Sequence, residues 1–380
     1  MNLPTGDWGA QLHWSLDDPA VCQALSRHAA TMAGLRVVYD NDGLWDWGDP
    51  RGDGPPLLRR MVDQYVEVGA RGLVWGCGNN LAWSYTPRVQ EAWCDRVPCE
   101  DAHLAHLADR QRQWLACGTS PLDVILERAR MHRLPVLAGF RLNRFFTQFG
   151  LESWFTDNPQ VVLSAASCPL HPTQQSANLA LLEVRRHFIE GSLDVVARYP
   201  VDGLHLEFMR AIPFFERGEP DKREQMLTFL RELRAGLDRL GAARGQRLEL
   251  SIWSGTEANY RVLRRGLFPP EFMALEFHGI DLQAWIEEGL VDRLMLSCWS
   301  GGSGRRGEPV ELTSWTRLAR GTGIRILGEV DNATEMSEPE QLRQAGEVIR
   351  RINALSDGVY LFNTPPASLA FLLERANQAQ

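Results

Sequence analysis

Four carboxylates stand where apolar runs of this chain end. Asp40 and Asp42 follow Val37-Val38-Tyr39, Glu207 closes Leu204-His205-Leu206, and Glu329 follows Ile326-Leu327-Gly328. A carboxyl group set into a buried segment is costly unless it has a partner or a task. Two carboxyl groups facing one bond are the usual means of acid–base chemistry on it. Amides and cations occupy comparable positions at Asn79, Arg141, Asn143, Arg210 and Asn363, Trp253 and Trp299 close two more runs, and Asp331 ends the run that holds Glu329. The chain holds thirteen tryptophans, several at or just past such ends (Trp45, Trp47, Trp154), and an indole face suits the apolar face of a sugar ring. Acids, amides and indoles gathered in this way imply carbohydrate chemistry, with two carboxyl groups flanking the scissile bond. Arg141 and Arg210 each offer a planar fork that matches a carboxylate. They extend the expectation to an acidic sugar; the alternative is that they neutralise Asp40, Asp42 or Glu207 within the protein.

These residues need rigid elements to bring them together. In Val201–Arg210, Leu204, Leu206 and Phe208 alternate with Gly203, His205 and Glu207. A period of two sends one set outward against helices and the other, including His205, inward. Eight such runs predict strands at Leu35–Asp42, Gly72–Asn79, Pro135–Asn143, Asp202–Arg210, Arg247–Ser254, Arg293–Ser300, Ile324–Asp331 and Gly358–Asn363. Helical patterns alternate with them at Leu57–Gly69, Pro121–His132, Asn178–Tyr199, Lys222–Leu240, Asp281–Gly289, Leu312–Ala319, Glu338–Leu355 and Ser368–Gln378. Eight strand–helix repeats predict an α/β fold, a (β/α)8 TIM barrel with right-handed crossovers. The rival, an open doubly wound sheet, carries a glycine-rich phosphate loop after its first strand. Here that strand runs into Asp40-Asn41-Asp42-Gly43, so no nucleotide or other cofactor is expected. Long insertions, 80–119 and 144–175, follow the second and third strands, on the side where barrel enzymes build pockets. No linker or low-complexity tract interrupts residues 1–380, which predicts a single domain.

The net charge of −8 argues against a nucleic-acid partner held by a basic surface. No apolar run approaches a membrane span, and the polar start Met1–Ala10 does not read as a signal peptide. Seven cysteines, an odd number, read as reduced thiols, and with the start they predict a cytoplasmic protein. The oligomeric state stays open. Cys94, Cys99, His103 and His106 have ligand chemistry, but the expectation is a helix with incidental sulfurs. Asp40, Asp42 and Asp331 form no known metal loop, so no metal site is expected.

At these residues the chain resembles the glycosidase-like barrel proteins whose fourth strand reads approximately DGIELDFMR. Within that group it is most similar to glycoside hydrolase family 156, the inverting exosialidases. The resemblance runs from strand one to strand eight. It rests on Asp202-Gly203-Leu204-His205-Leu206-Glu207-Phe208-Met209-Arg210, on Gly279–Asp292 and on Asp357-Gly358-Val359-Tyr360-Leu361-Phe362-Asn363. It implies that Arg141 and Arg210 bind a substrate carboxylate, that Asn363 contacts the sugar, and that Asp40 or Asp42 belongs to the catalytic group. After strand three the family pattern is close to Arg-x-Asn-Asp-x-His, its histidine with a proposed catalytic role. This chain reads Arg141-Leu142-Asn143-Arg144-Phe145-Phe146, and a phenylalanine carries no proton.

Three readings follow. One is a hydrolase with Glu207, Asp40 or Asp42 as general acid and a second carboxylate activating water. A second is a retaining hydrolase with Glu207 as acid/base and Glu329 as nucleophile, although Leu206 stands where the largest barrel glycosidase clan has Asn. The third is a barrel that binds carbohydrate without turning it over, as Phe146 suggests.

Overall fold

Strands form here where β-branched and other apolar residues run between turn residues, long enough to be buried on both faces. The structure, a computed structural model, describes residues 34–43, 54–97, 101–167, 174–209, 213–257, 274–300, 312–331, 339–364 and 366. Its principal strands are β1 (Val37–Asn41), β2 (Gly72–Gly78), β3 (Val136–Arg141), β4 (Gly203–Glu207), β5 (Glu249–Ser254), β6 (Arg293–Ser300), β7 (Arg325–Asp331) and β8 (Gly358–Phe362). Each pairs in parallel with the next in sequence, and β1 pairs with both β2 and β8, which closes the sheet into a barrel. Helices lie between the strands, so the fold is a (β/α)8 TIM barrel.

Local chemistry sets the helix ends. Helix Pro121–Met131 opens on a reciprocal pair in which the Ser120 hydroxyl accepts from the Asp123 N–H and the Asp123 carboxylate accepts from the Ser120 N–H, with Pro121 at the first helical position. Helix Lys222–Arg244 ends at Gly245 in the left-handed conformation. Every residue of β4 is buried. Leu204 and Leu206 face the helices, while His205 and Glu207 face the barrel interior, where they meet side chains of other strands.

Between β2 and Pro121 lie two short strands, Leu81–Ala82 and Glu91–Ala92, a 3-10 turn at Trp93–Asp95 and helix Ala102–Ala116. After β3 a short antiparallel pair joins Arg144–Phe146 to Gln174–Ser176. At the N-terminal end of the strands, buried Arg293 pairs with Glu249 at 2.8 Å. The expected helix Ser368–Gln378 lies outside the described residues, as do Cys99, Trp45 and Trp47. Cys94 is buried, and burial together with Asp95 pushes its thiol up to about 11. Among the described residues no group of three or more His, Cys, Asp or Glu is placed to hold a metal ion. None of the described helices is long and apolar enough to cross a membrane.

Candidate functional site

The register of the sheet assembles the barrel mouth. Arg141, last in β3, lies directly beside Glu207, last in β4. Its Nε donates to Glu207 Oε2 at 2.7 Å, and its Nη2 reaches Asp42 Oδ1 at 3.4 Å. One guanidinium thus joins the carboxylates that end β4 and follow β1. Asn363, just past β8, completes the frame. Its Nδ2 donates to Asp42 Oδ2 at 2.8 Å, and its Oδ1 accepts from the Asp42 N–H at 3.2 Å. Asn363 holds φ at 44°, a left-handed conformation that asparagine adopts more readily than most residues.

Backbone contacts set Asp42 in place. Trp83 Nε1 donates to the carbonyls of Asp42 and Gly76, at 3.0 and 2.9 Å. The Ser84 hydroxyl bonds the carbonyls of Gly43 and Gly76, at 2.9 and 2.6 Å. Such close approach needs glycine: a Cβ on Gly76 would stand 2.2 Å from the Asp42 carbonyl oxygen. Gly76→Ala should therefore push the end of β1 aside and cost about 1–3 kcal/mol through overpacking, read as a lower urea midpoint. An unchanged midpoint would show that the strands part freely and that the glycine does not position Asp42.

Below the mouth, a chain of hydrogen bonds crosses the interior. Ser251 Oγ lies 3.0 Å from His205 Nδ1, and His205 Nε2 lies 3.3 Å from the Tyr360 hydroxyl. That hydroxyl donates to Asp40 Oδ2. The tautomer protonated at Nε2 suits this geometry, because it lets the ring donate to Tyr360 while Tyr360 donates to Asp40. Burial pushes the His205 imidazole down to about 3; Arg293 adds to the fall and Glu207 opposes it. The ring is therefore neutral at neutral pH. Burial, then the charge of Asp40, drive the Tyr360 phenol well above its ordinary range, with smaller contributions from Glu207 and Glu329. Three of the four carboxylates thus act on a single phenol.

The mouth and interior gather Asp40, Asp42, Arg141, Glu207, Glu329, His205 and Asn363. Several expectations change. Arg141 takes the internal role, neutralising Glu207 and Asp42. Asn363 engages Asp42 through both ends of its amide. Asn143 is fully buried and ties two loops, donating to the Pro213 carbonyl at 2.7 Å and accepting from the Ala177 N–H at 3.0 Å. Asn79 caps its own turn by accepting from the Leu81 N–H. Trp253 is 1% exposed and fills the barrel against Phe362 and Tyr360, so it offers no open face. Trp154 stacks on His187 with centroids 4.2 Å apart. Trp299 and Asp331 lie in β6 and β7, and Arg210 falls outside the described residues. Tyr360 and Ser251 were missed. A two-residue period counted back from Phe362 and Trp253 places both on the inward face.

No protein-family model matches the chain, and no curated protein matches it. Solved structures do. α-L-Fucosidase isoenzyme 2 from Paenibacillus thiaminolyticus superposes with a TM-score of 0.50 at 14% identity, covering 91% of this chain and 49% of that one. This chain therefore spans about half the length of that protein. A candidate α-L-fucosidase from Bacteroides thetaiotaomicron gives 0.50 at 12% identity, covering 91% and 93%. At such identity the likeness concerns the fold, which it shares with the barrel traced above.

Proposed function

We propose that the chain hydrolyses a glycosidic bond at the C-terminal mouth of the barrel. The observation that carries this is the Asp42–Arg141–Glu207 bridge, two carboxylates from separate strands held by one guanidinium. An arginine hydrogen bond favours the charged carboxylate, so Glu207 serves as base or nucleophile rather than as the general acid. Asp42, whose side chain is a quarter exposed, is the second carboxyl facing the scissile bond. Asp40 and Glu329 lie deeper and act through the field around Tyr360. The shared barrel of the two fucosidase-named proteins supports a carbohydrate substrate and puts fucosides in the test set. With Arg141 committed to Glu207 and Asp42, recognition of an acidic sugar such as a sialoside falls to Arg210.

The test is a screen of the full chain against aryl fucosides, galactosides, glucosides, uronides and sialosides. Release of the aryl group from at least one is expected, and NMR of the first-formed anomer then separates inversion from retention. Saturable sugar binding without turnover would replace this reading with that of a carbohydrate-binding barrel. Neither binding nor turnover across the set would sink both.

A further inference from the structure

A concavity opens at the opposite, N-terminal face of the barrel, beside the residues that lead into β3 and β4. Its volume is about 610 Å³, and its lining includes Arg130, Arg133, Arg198, Arg244 and Asp202. That volume suits a small molecule. Four arginines against one lining carboxylate are unusual in a chain whose net charge is −8.

Helix ends account for only part of this. Arg130, Arg198 and Arg244 close or approach the C-termini of three helices, where cations are favoured. Two of them are already engaged. Arg198 pairs with Asp194 at 2.7 Å, and Arg244 donates to the carbonyls of Val196 and Tyr199. The carbonyls of Ala129 and Arg130 at the end of helix Pro121–Met131 are taken by the N–H groups of His132, Arg133 and Leu134. Among the described residues, the guanidinium groups of Arg130 and Arg133 make no hydrogen bond or ion pair. Arg130 nevertheless lies close enough to Arg244 to add to the effect of burial in lowering its pKa.

Arg133 carries a second signal. It sits just past the helix C-cap with φ at 57°, where glycine is the favoured residue because a Cβ is strained there. Arg133 is exposed, so its guanidinium is open to a ligand at a position where glycine would relieve the backbone strain.

We propose that this groove binds a small phosphoryl-bearing anion, with Arg130 and Arg133 as its direct ligands and Arg198 and Arg244 supplying the surrounding positive field. A doubly charged phosphoryl group offers several acceptor oxygens to guanidinium forks and offsets more than one cation. The site is independent of the mouth, so its fate does not depend on the hydrolase reading.

The test is calorimetric titration of the full chain with inorganic pyrophosphate and, separately, glucose 6-phosphate, at fixed ionic strength with chloride as the control. Saturable binding of at least one is expected, and the tighter of the two assigns the source of the phosphoryl group. Arg130→Ala with Arg133→Ala should weaken it at least tenfold, while Arg231→Ala, an exposed ion-paired arginine elsewhere, should leave it unchanged. The single variant Arg133→Gly separates function from stability. It should melt no earlier than the parent, because the strained cap is relieved, yet bind several-fold more weakly. No saturable binding of either probe, or equal binding by the double variant, would overturn the proposal.

Discussion

Glu207→Gln should lower kcat/KM at least a hundredfold toward any glycoside the chain hydrolyses, while the protein melts within a few degrees of the parent. Glutamine keeps the shape and can still accept from Arg141 Nε through its carbonyl oxygen, so packing at a site that is 5% exposed is retained. What disappears is the charge that a base or nucleophile needs. Groups in such roles contribute about 10²–10⁴-fold, and the fold itself does not depend on them. The folded control matters, because truncation at the other end of the pair behaves differently. Removing Arg141 would break the buried ion pair at Glu207, at a cost of about 3–5 kcal/mol, and would confound activity with unfolding. Equal turnover by Glu207→Gln and the parent would remove Glu207 from the reaction and shift attention to Asp42 with Asp40 or Glu329.

The architecture was legible because each strand is a short apolar run between turn residues, and the interior could be read from alternation. Expected Arg293–Ser300 coincides with β6, and expected Asp202–Arg210 contains β4. Helix Leu182–Arg198 starts later than the expected Asn178 because that segment bonds elsewhere: the Asn178 N–H reaches the Val161 carbonyl and the Leu179 N–H the Phe214 carbonyl. Charged residues of the site were visible for the same reason that makes them costly, a carboxylate among apolar neighbours. Their partners were not. Tyr360 sits in Gly358-Val359-Tyr360-Leu361-Phe362 and reads as core; only closure of β8 against β1 brings its hydroxyl to Asp40. Asn143 and Asn363 looked like ligand-binding amides. Their acceptors and donors belong to segments tens or hundreds of residues away, which spacing along the chain does not reveal. Trp253 likewise ends a strand as a sugar platform would, yet β8 covers it with Phe362 and Tyr360.

The largest effect on stability should come from His205, and it should appear as acid sensitivity well above the range where carboxylates titrate. In the folded protein this imidazole is pushed down to about 3, chiefly by burial, whereas its ordinary value is 6.5. Between these values the unfolded chain binds a proton that the folded chain refuses, so stability rises with pH across the window and falls as pH drops. The contribution is intact above pH ~6.5 and is lost progressively toward pH ~3, at up to about 1.4 kcal/mol per pH step and on the order of 4 kcal/mol in full. Carboxylates add their own loss below pH ~4.5, so the diagnostic interval is pH ~6.5 to ~4.5, where roughly 2 kcal/mol should go. His205→Gln isolates the effect: a glutamine amide can donate to the Tyr360 hydroxyl and accept from Ser251, the hydrogen-bond partners of the ring, but it does not titrate. Urea unfolding at several pH values should give the parent a slope steeper than that of the variant by about one proton. Parallel slopes would mean that the ring takes its proton inside the folded barrel. The Ser251–His205–Tyr360–Asp40 chain would then carry an imidazolium at mildly acidic pH, with its added proton on Nδ1 donated to Ser251 Oγ.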